Sequence, residues 1–109
     1  MSLRDELPIS EAEWLSQVLD WAERRHWMRA HFRVARTQHG WRTPVQADGA
    51  GFPDLILVRP PRAIAAELKS ERGRLTRAQA NWLELLGEAG LETYVWRPGD
   101  LQAMAETLR

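Results

Sequence analysis

Gly51-Phe52-Pro53-Asp54 opens the stretch that decides the fold, and Glu67-Leu68-Lys69 closes it. Between them lie the apolar run Leu55-Ile56-Leu57-Val58, the breaker pair Pro60-Pro61 and a second apolar run, Ala63-Ile64-Ala65-Ala66. Each run has the length of a strand bounded by breakers, so the pair predicts a β-hairpin or two neighbouring strands, about 54–59 and 62–69. Asp54 then opens one strand, while Glu67 and Lys69 close the next. Side chains alternate along a strand, so positions 67 and 69 share a face. Two carboxylates and an ammonium are therefore expected at one end of a small sheet. Carboxylates suit a hard divalent cation such as Mg²⁺, and a lysine beside it can orient water and stabilise charge on a phosphate. The pattern is that of a metal-dependent phosphodiesterase.

Upstream, Ile9-Ser10-Glu11-Ala12-Glu13-Trp14 carries a helix-start signature. Ser10 and Glu13 fit a capping box, with Ile9 and Trp14 as the hydrophobic staple. The helix is expected to run to about His26, burying Leu15, Val18 and Ala22 with help from Trp14 and Trp21. A strand is predicted over Trp27 to Ala35, then a long polar loop over Thr37 to Ala50. Downstream, Gly73 marks a turn, and Thr76 with Gln79 forms a second possible capping box. The helix that follows, about Arg77 to Ala89, is expected to bury Trp82, Leu85, Leu86 and Ala89 before Gly90 stops it. Leu91 to Trp96 reads as a strand, and about Asp100 to Leu108 as a short last helix. The predicted order is αβββαβα.

At 109 residues the chain (1–109) is read as one domain, long enough for a sheet with helices against it. It contains no cysteine, which excludes disulfides and thiolate metal sites and fits a reducing cytoplasm. Nothing in the sequence has the length of a membrane span, and Met1 to Pro8 is too polar for a signal peptide. Formal net charge is zero, yet the charges are segregated. Residues 22–42 hold six arginines (Arg24, Arg25, Arg29, Arg33, Arg36, Arg42) against Glu23 alone. Residues 59–77 hold Arg59, Arg62, Lys69, Arg72, Arg74 and Arg77 against Glu67 and Glu71. Arginine clamps phosphate in a bidentate fork, so a field of this kind can bind a polyanion; the plainer reading is arginine used as a solubilising residue.

With these residues in hand, the chain resembles the PD-(D/E)xK nuclease superfamily, and more closely a stand-alone VRR-NUC domain of phage or bacterial type. The matching features are the helical Glu11, Gly51-Phe52-Pro53-Asp54, Glu67-Leu68-Lys69, Gln79 at the head of the next helix and the tail Tyr94-Val95-Trp96-Arg97-Pro98. They appear in order across nearly the whole chain, although the family's name-giving Val-Arg-Arg is not evident. The resemblance implies an α/β, restriction-endonuclease-like core, a mixed central sheet flanked by helices. It also implies a divalent metal and cleavage of DNA phosphodiester bonds, with some members acting as homodimers on branched DNA such as Holliday junctions.

Each candidate has a bland reading beside the functional one. Asp54 could be a turn residue after Pro53, but it sits at the mouth of an apolar strand. Glu67 could pair with Lys69 on the surface, yet it follows Ile64-Ala65-Ala66, where a carboxylate needs a cation. Lys69 is the single lysine of an arginine-rich chain, and catalysis uses a compact ammonium that arginine does not supply. Glu11 lies four, seven and eleven residues before Leu15, Val18 and Ala22, on the predicted buried stripe, while Glu13 falls on the opposite face. Glu11 could instead be a favourable charge at a helix start; the resemblance also selects it. Gln79 could serve only its capping box, or face the sheet and touch the site.

The expected chemistry is thus a Mg²⁺- or Mn²⁺-dependent DNA endonuclease. Asp54 and Glu67 hold metal, Glu11 completes the acidic pocket directly or through water, Lys69 positions the attacking water, and Gln79 supports the site. His31, Arg33, Arg36, Arg42, Arg72 and Arg74 are expected to approach DNA phosphate, and Trp41 to stack on an unpaired base. A homodimer acting on branched DNA in the cytoplasm of a bacterial or phage-infected cell, with no membrane partner, completes the expectation. The rival is a DNA-binding or replication accessory module that keeps the fold without turnover; an RNA-directed nuclease of the same fold also remains open.

Overall fold

Ser10 turns the backbone into the first helix. Its hydroxyl accepts the Glu13 amide at 3.1 Å, satisfying one of the donors that a helix start leaves without a partner. The computed structural model describes residues 9–32, 35–37, 40–42 and 46–109, with 35–37 and 40–42 as backbone only. Helix α1 spans Glu11–Arg24 and buries Trp14, Val18 and Ala22 completely. Leu15 and Trp21 are only half-buried, so the stripe is centred on Trp14 rather than Leu15. The Trp14 indole N–H also donates to the Trp96 carbonyl at 3.0 Å, tying α1 to the far strand.

The helix ends without a glycine. His26 has φ of 66°, its amide bonds Glu23 O at 3.0 Å, and the Trp27 amide bonds Ala22 O at 2.9 Å. That pair of bonds is a Schellman motif, whose left-handed position favours glycine. His26→Gly is therefore expected to stabilise the protein by about 0.5–1 kcal/mol, read as a higher unfolding midpoint. A β-branched His26→Val should lower it.

Strand β1 (Met28–His31) is followed by β2 (Ala35–Thr37) and β3 (Gly40–Arg42), which pair antiparallel with each other. Next come β4 (Leu55–Arg59), β5 (Arg62–Leu68), helix α2 (Arg77–Glu88), β6 (Glu92–Trp96) and helix α3 (Leu101–Leu108). The main sheet has the order β1-β4-β5-β6. Its first two pairings are antiparallel and β5–β6 is parallel, across the α2 crossover. The sheet is mixed and flanked by helices, as the sequence predicts, with β2–β3 as an insertion in the αβββαβα order. The single strand expected over Trp27 to Ala35 is instead β1 and the start of β2, and the expected loop from Thr37 contains β3. Neither short strand carries apolar alternation, and no Asn-Gly-type dipeptide stands between them, so local rules have nothing to register there.

On one face of the sheet, Leu55, Leu57, Ile64, Ala66 and Leu68 pack with Trp14, Val18, Trp27, Met104 and Leu108. Ala65 and Glu67 belong to the other face, under α2, which follows from alternation along β5. On α2 the buried residue is Leu83, whereas Trp82 and Leu86 are half-buried and Leu85 and Ala89 exposed. The predicted stripe is thus rotated: α2 presents Gln79, Leu83 and Leu86 inward, because the sheet below it ends in a carboxylate that needs a polar partner. Trp27, at 3% exposure, is a core residue that periodicity does not pick out; its indole donates to Leu108 O at 2.9 Å. No helix among the described residues is long and apolar enough to cross a membrane.

Candidate active site

Strand register brings the carboxylates together. Leu55 pairs with Ala66, so one residue further along the antiparallel ladder Asp54 stands alongside Glu67. Asp54 is held from both sides. Its carbonyl accepts the Phe32 amide at 3.0 Å, and its Oδ2 accepts the Leu68 amide at 2.9 Å. Glu67 is only 2% exposed. Gln79 Nε2 donates to its Oε1 at 3.2 Å, while its Oε2 is buried and meets no donor among the described residues. Burial, then the neighbouring Asp54 carboxylate, pushes the Glu67 carboxyl up to about 8, against the opposing pull of the Lys69 ammonium.

Lys69 lies one residue past β5 and extends the parallel ladder, its amide donating to Trp96 O at 3.1 Å. Its half-buried stem runs beneath Gly73, where a Cβ would come 3.3 Å from Lys69 Cδ. Gln79 resolves its two readings by doing both. Its Oε1 accepts the Thr76 amide at 2.9 Å and closes the capping box, and its amide NH₂ remains for Glu67.

The raised Glu67 carboxyl has a signed consequence. Between about pH 4.5 and 8 the folded chain holds a proton that the unfolded chain has released. Its contribution to stability is complete below the unfolded value and lost as pH rises through about 8. Thermal unfolding of the metal-free protein should therefore show a midpoint that falls from pH 5 to pH 9. A divalent cation bound at this carboxylate should release about one proton near pH 7, measurable by titration calorimetry in buffers of different ionisation enthalpy.

An open cavity of about 340 Å³ reaches this edge of the sheet, lined by Glu11, Ala12, Leu15, His31, Phe32, Asp54 and Leu68. It brings Glu11 and His31 to the same opening as Asp54. Glu13 is absent from that lining and is engaged at the cap, where Ser10 Oγ donates to its Oε1 at 3.3 Å. Glu11 is exposed, and among the described residues no three histidine, aspartate or glutamate side chains converge closely enough to hold one ion. Glu11→Gln should reduce cleavage or metal affinity about 10-fold or more, the usual size for partners of a metal site. Glu13→Gln should be nearly silent, since Gln also closes a capping box. The reverse ranking in paired assays would make Glu13 the site residue.

Several arginines of the two basic segments have structural partners. Arg24 pairs with Asp20 and Arg29 with Glu23. Arg62 forms a two-pronged pair with Glu92 at 2.7 Å, which raises its own pKa and lowers that of Glu92. Arg59 and Arg62 also donate to the Thr107, Leu108 and Arg109 carbonyls at the end of α3, where a cation suits the helix dipole. Arg72 and Arg74 are exposed in the turn after Lys69, and no ion pair engages them among the described residues. Arg33 lies outside the described residues, as do the side chains of Arg36, Trp41 and Arg42.

The sequence places Gly51 in the motif before Asp54 and Trp82 in the core stripe of α2, and neither reading shows how the two position this site. Gly51, with φ of 84°, lies against the start of α2 at Ala78 and Gln79. Trp82 donates from Nε1 to the carbonyls of Asp48 at 3.0 Å and Ala50 at 3.2 Å. The only sequence sign of that role is Gly51 itself, three residues before Asp54.

The VRR-NUC domain family model matches residues 4–98, and the chain belongs to that family of nuclease-type domains, whose activity concerns DNA. Among solved structures three chains match. One, a VRR_NUC domain protein, is 22% identical, with a TM-score of 0.64 over 93% of this chain and 88% of that one. At that identity the likeness speaks for the fold. No curated protein matches the chain in sequence.

Proposed function

We propose that this chain is a Mg²⁺- or Mn²⁺-dependent DNA endonuclease whose site comprises Asp54, Glu67, Lys69, Gln79 and Glu11. The observation that carries the reading is the buried Glu67 Oε2, which among the described residues meets no donor and lies beside the Asp54 carboxylate. An ionised carboxylate left so in the interior is costly, and a cation removes the cost. Asp54 and Glu67 would hold the ion, and Mg²⁺ commonly keeps several waters while bound by one or two carboxylates. When bound, such an ion supplies charge neutralisation at the phosphate and a more acidic water.

The remaining roles fall to the chain's own groups. Gln79 fixes the orientation of Glu67 through its amide N–H. The Leu68 amide fixes Asp54. Lys69, the neighbouring ammonium, orients the attacking water and balances charge developing on phosphate oxygens. Glu11, across the cavity opening, acts on the ion through water. In-line attack on phosphorus with the 3′-oxygen leaving, the outcome the family resemblance implies, would leave a 3′-hydroxyl and a 5′-phosphate. Arg72 and Arg74, exposed in the turn after Lys69, would hold the DNA backbone, and His31, in the cavity with Glu11 and Asp54, would approach phosphate.

Supercoiled plasmid with Mg²⁺ or Mn²⁺ tests the reading directly. Nicking that EDTA abolishes is the expected result. DNA retardation without any cleavage under every metal condition would overturn it in favour of an accessory module. The finer substrate reading is a homodimer selective for branched DNA, because resolving a four-way junction takes two symmetric incisions and a two-fold dimer supplies two sites. Light scattering that gives a monomer, with equal cleavage of linear and four-way DNA, would reject that part alone.

A further inference from the structure

Trp82 stands three residues after Gln79 on α2 and is half-buried. A tryptophan there is expected to fill the core, but Leu83 does so. Trp82 instead meets the segment leading to Asp54. Its indole N–H is shared between the Asp48 and Ala50 carbonyls, and its ring packs edge-on to Phe52 with centroids 5.1 Å apart. Phe52 in turn meets Phe32 at 5.5 Å. Gly51 rests against Ala78 and Gln79 so closely that a Cβ would lie 2.6 Å from Ala78 Cβ. The whole of 48–52 is thereby seated on the first two turns of α2, and Asp54 follows through the buried Pro53.

We propose that Trp82 is a positioning residue for the acidic pair. Helix α2 holds Glu67 directly, through Gln79, and holds Asp54 indirectly, through the loop that Trp82 clamps. One rigid element therefore sets the separation and orientation of both carboxylates. The bonds internal to the loop, Gly49 N to Gln46 O and Phe52 N to Gly49 O, shape its turns but do not attach it to the helix. Attachment depends on the indole N–H, the Phe52 packing and the Gly51 contact. The inference rests on the nuclease reading for its consequence, though the clamp itself can be measured without metal.

The test compares wild type with Trp82→Phe, and with 3-benzothienylalanine at position 82, which keeps the ring shape and removes only the N–H. Leu83→Ala serves as a variant that destabilises α2 without touching the loop. In metal-free protein, hydrogen exchange of the Leu68 amide reports Asp54 directly, because Asp54 Oδ2 is its acceptor. Both position-82 variants should exchange this amide faster while the β4–β5 ladder amides keep their protection. Mn²⁺ affinity by electron paramagnetic resonance should fall about 10-fold to 100-fold, and kcat should fall with KM for DNA unchanged. Leu83→Ala, assayed where it is folded, should match wild type in Leu68 exchange and in Mn²⁺ affinity. The proposal is overturned if the folded position-82 variants keep wild-type Leu68 protection and Mn²⁺ binding, or if Leu83→Ala reproduces their losses. Wild-type protein that binds no Mn²⁺ would sink the nuclease reading instead, leaving the Leu68 exchange result to decide the clamp.

Discussion

Asp54→Asn is expected to leave the fold intact and to lower DNA cleavage by roughly 10³-fold or more. The asparagine carbonyl can still accept the Leu68 amide, now held at 2.9 Å by Asp54 Oδ2, so the end of β4 keeps its anchor. What disappears is a negative charge, and a neutral amide cannot balance a divalent cation. The same substitution should be visible without metal. Asp54 is the largest influence on the Glu67 carboxyl after burial, so removing its charge should bring that group down from about 8. The loss of stability with rising pH, which still sets in above the unfolded value, should then be smaller and end at lower pH. Plasmid nicking gives the first result and thermal unfolding across pH the second. Wild-type cleavage by Asp54→Asn would remove Asp54 from the site.

Gly51→Ala should be more damaging than the same change at Gly73, Gly87, Gly90 or Gly99. Its Cβ would lie 2.6 Å from Ala78 Cβ, 2.7 Å from Ala78 C and 2.8 Å from Gln79 N, and two of these three are backbone atoms that cannot rotate away. Left-handed φ costs an L-residue roughly 1–2 kcal/mol, and overpacking typically about 1–3 kcal/mol more. A loss of about 2–5 kcal/mol is a large share of the stability of a small domain. Gly90→Ala supplies the control. It shares the positive φ, at 108°, but nothing lies within 4 Å of the added methyl. The difference between the two variants in urea unfolding therefore isolates the clash, and equal losses would show that α2 and the loop separate freely. Gly51→Ala should also lower activity by more than the folded fraction explains, because relieving the clash moves Gln79 away from the loop that delivers Asp54.

The candidate site was legible in outline because its parts obey short-range rules. Breakers at Pro60 and Pro61 delimit two strands whatever surrounds them, and the two-residue period puts Glu67 and Lys69 on one side. Caps at Ser10 and Thr76 need only the residue three positions on. The Thr76–Gln79 box forms as read. At Ser10 the hydroxyl caps the Glu13 amide, and the Glu13 carboxylate accepts from that hydroxyl rather than from the backbone. The reading of α2 went astray where a local apolar count met a polar demand from the sheet. Trp82, Leu85, Leu86 and Ala89 look like a buried stripe, but Leu83 is the buried residue, Leu85 and Ala89 are exposed, and Gln79 faces the sheet to bond Glu67. The charge pattern misled in a similar way. Arg59 and Arg62 sit in a basic segment, yet both donate to carbonyls at the end of α3, and Arg62 also pairs with Glu92.

The sequence by itself determined the order of elements apart from β2 and β3, the class of fold, the helix starts and the candidate pair Asp54 and Glu67 with Lys69. All of these depend on residues within a few positions of each other, or on patterns that repeat along one strand. Tertiary structure alone decided the rest. It buried Glu67 and raised its carboxyl, divided the Gln79 amide between a cap and a carboxylate, and brought the Trp82 indole to carbonyls 32 and 34 residues away in the chain. It also carried Arg59 to carbonyls 49 and 50 residues distant. Such pairings follow from how the packed helices and sheet meet, and a local pattern of residues carries no record of which distant carbonyl will need a donor.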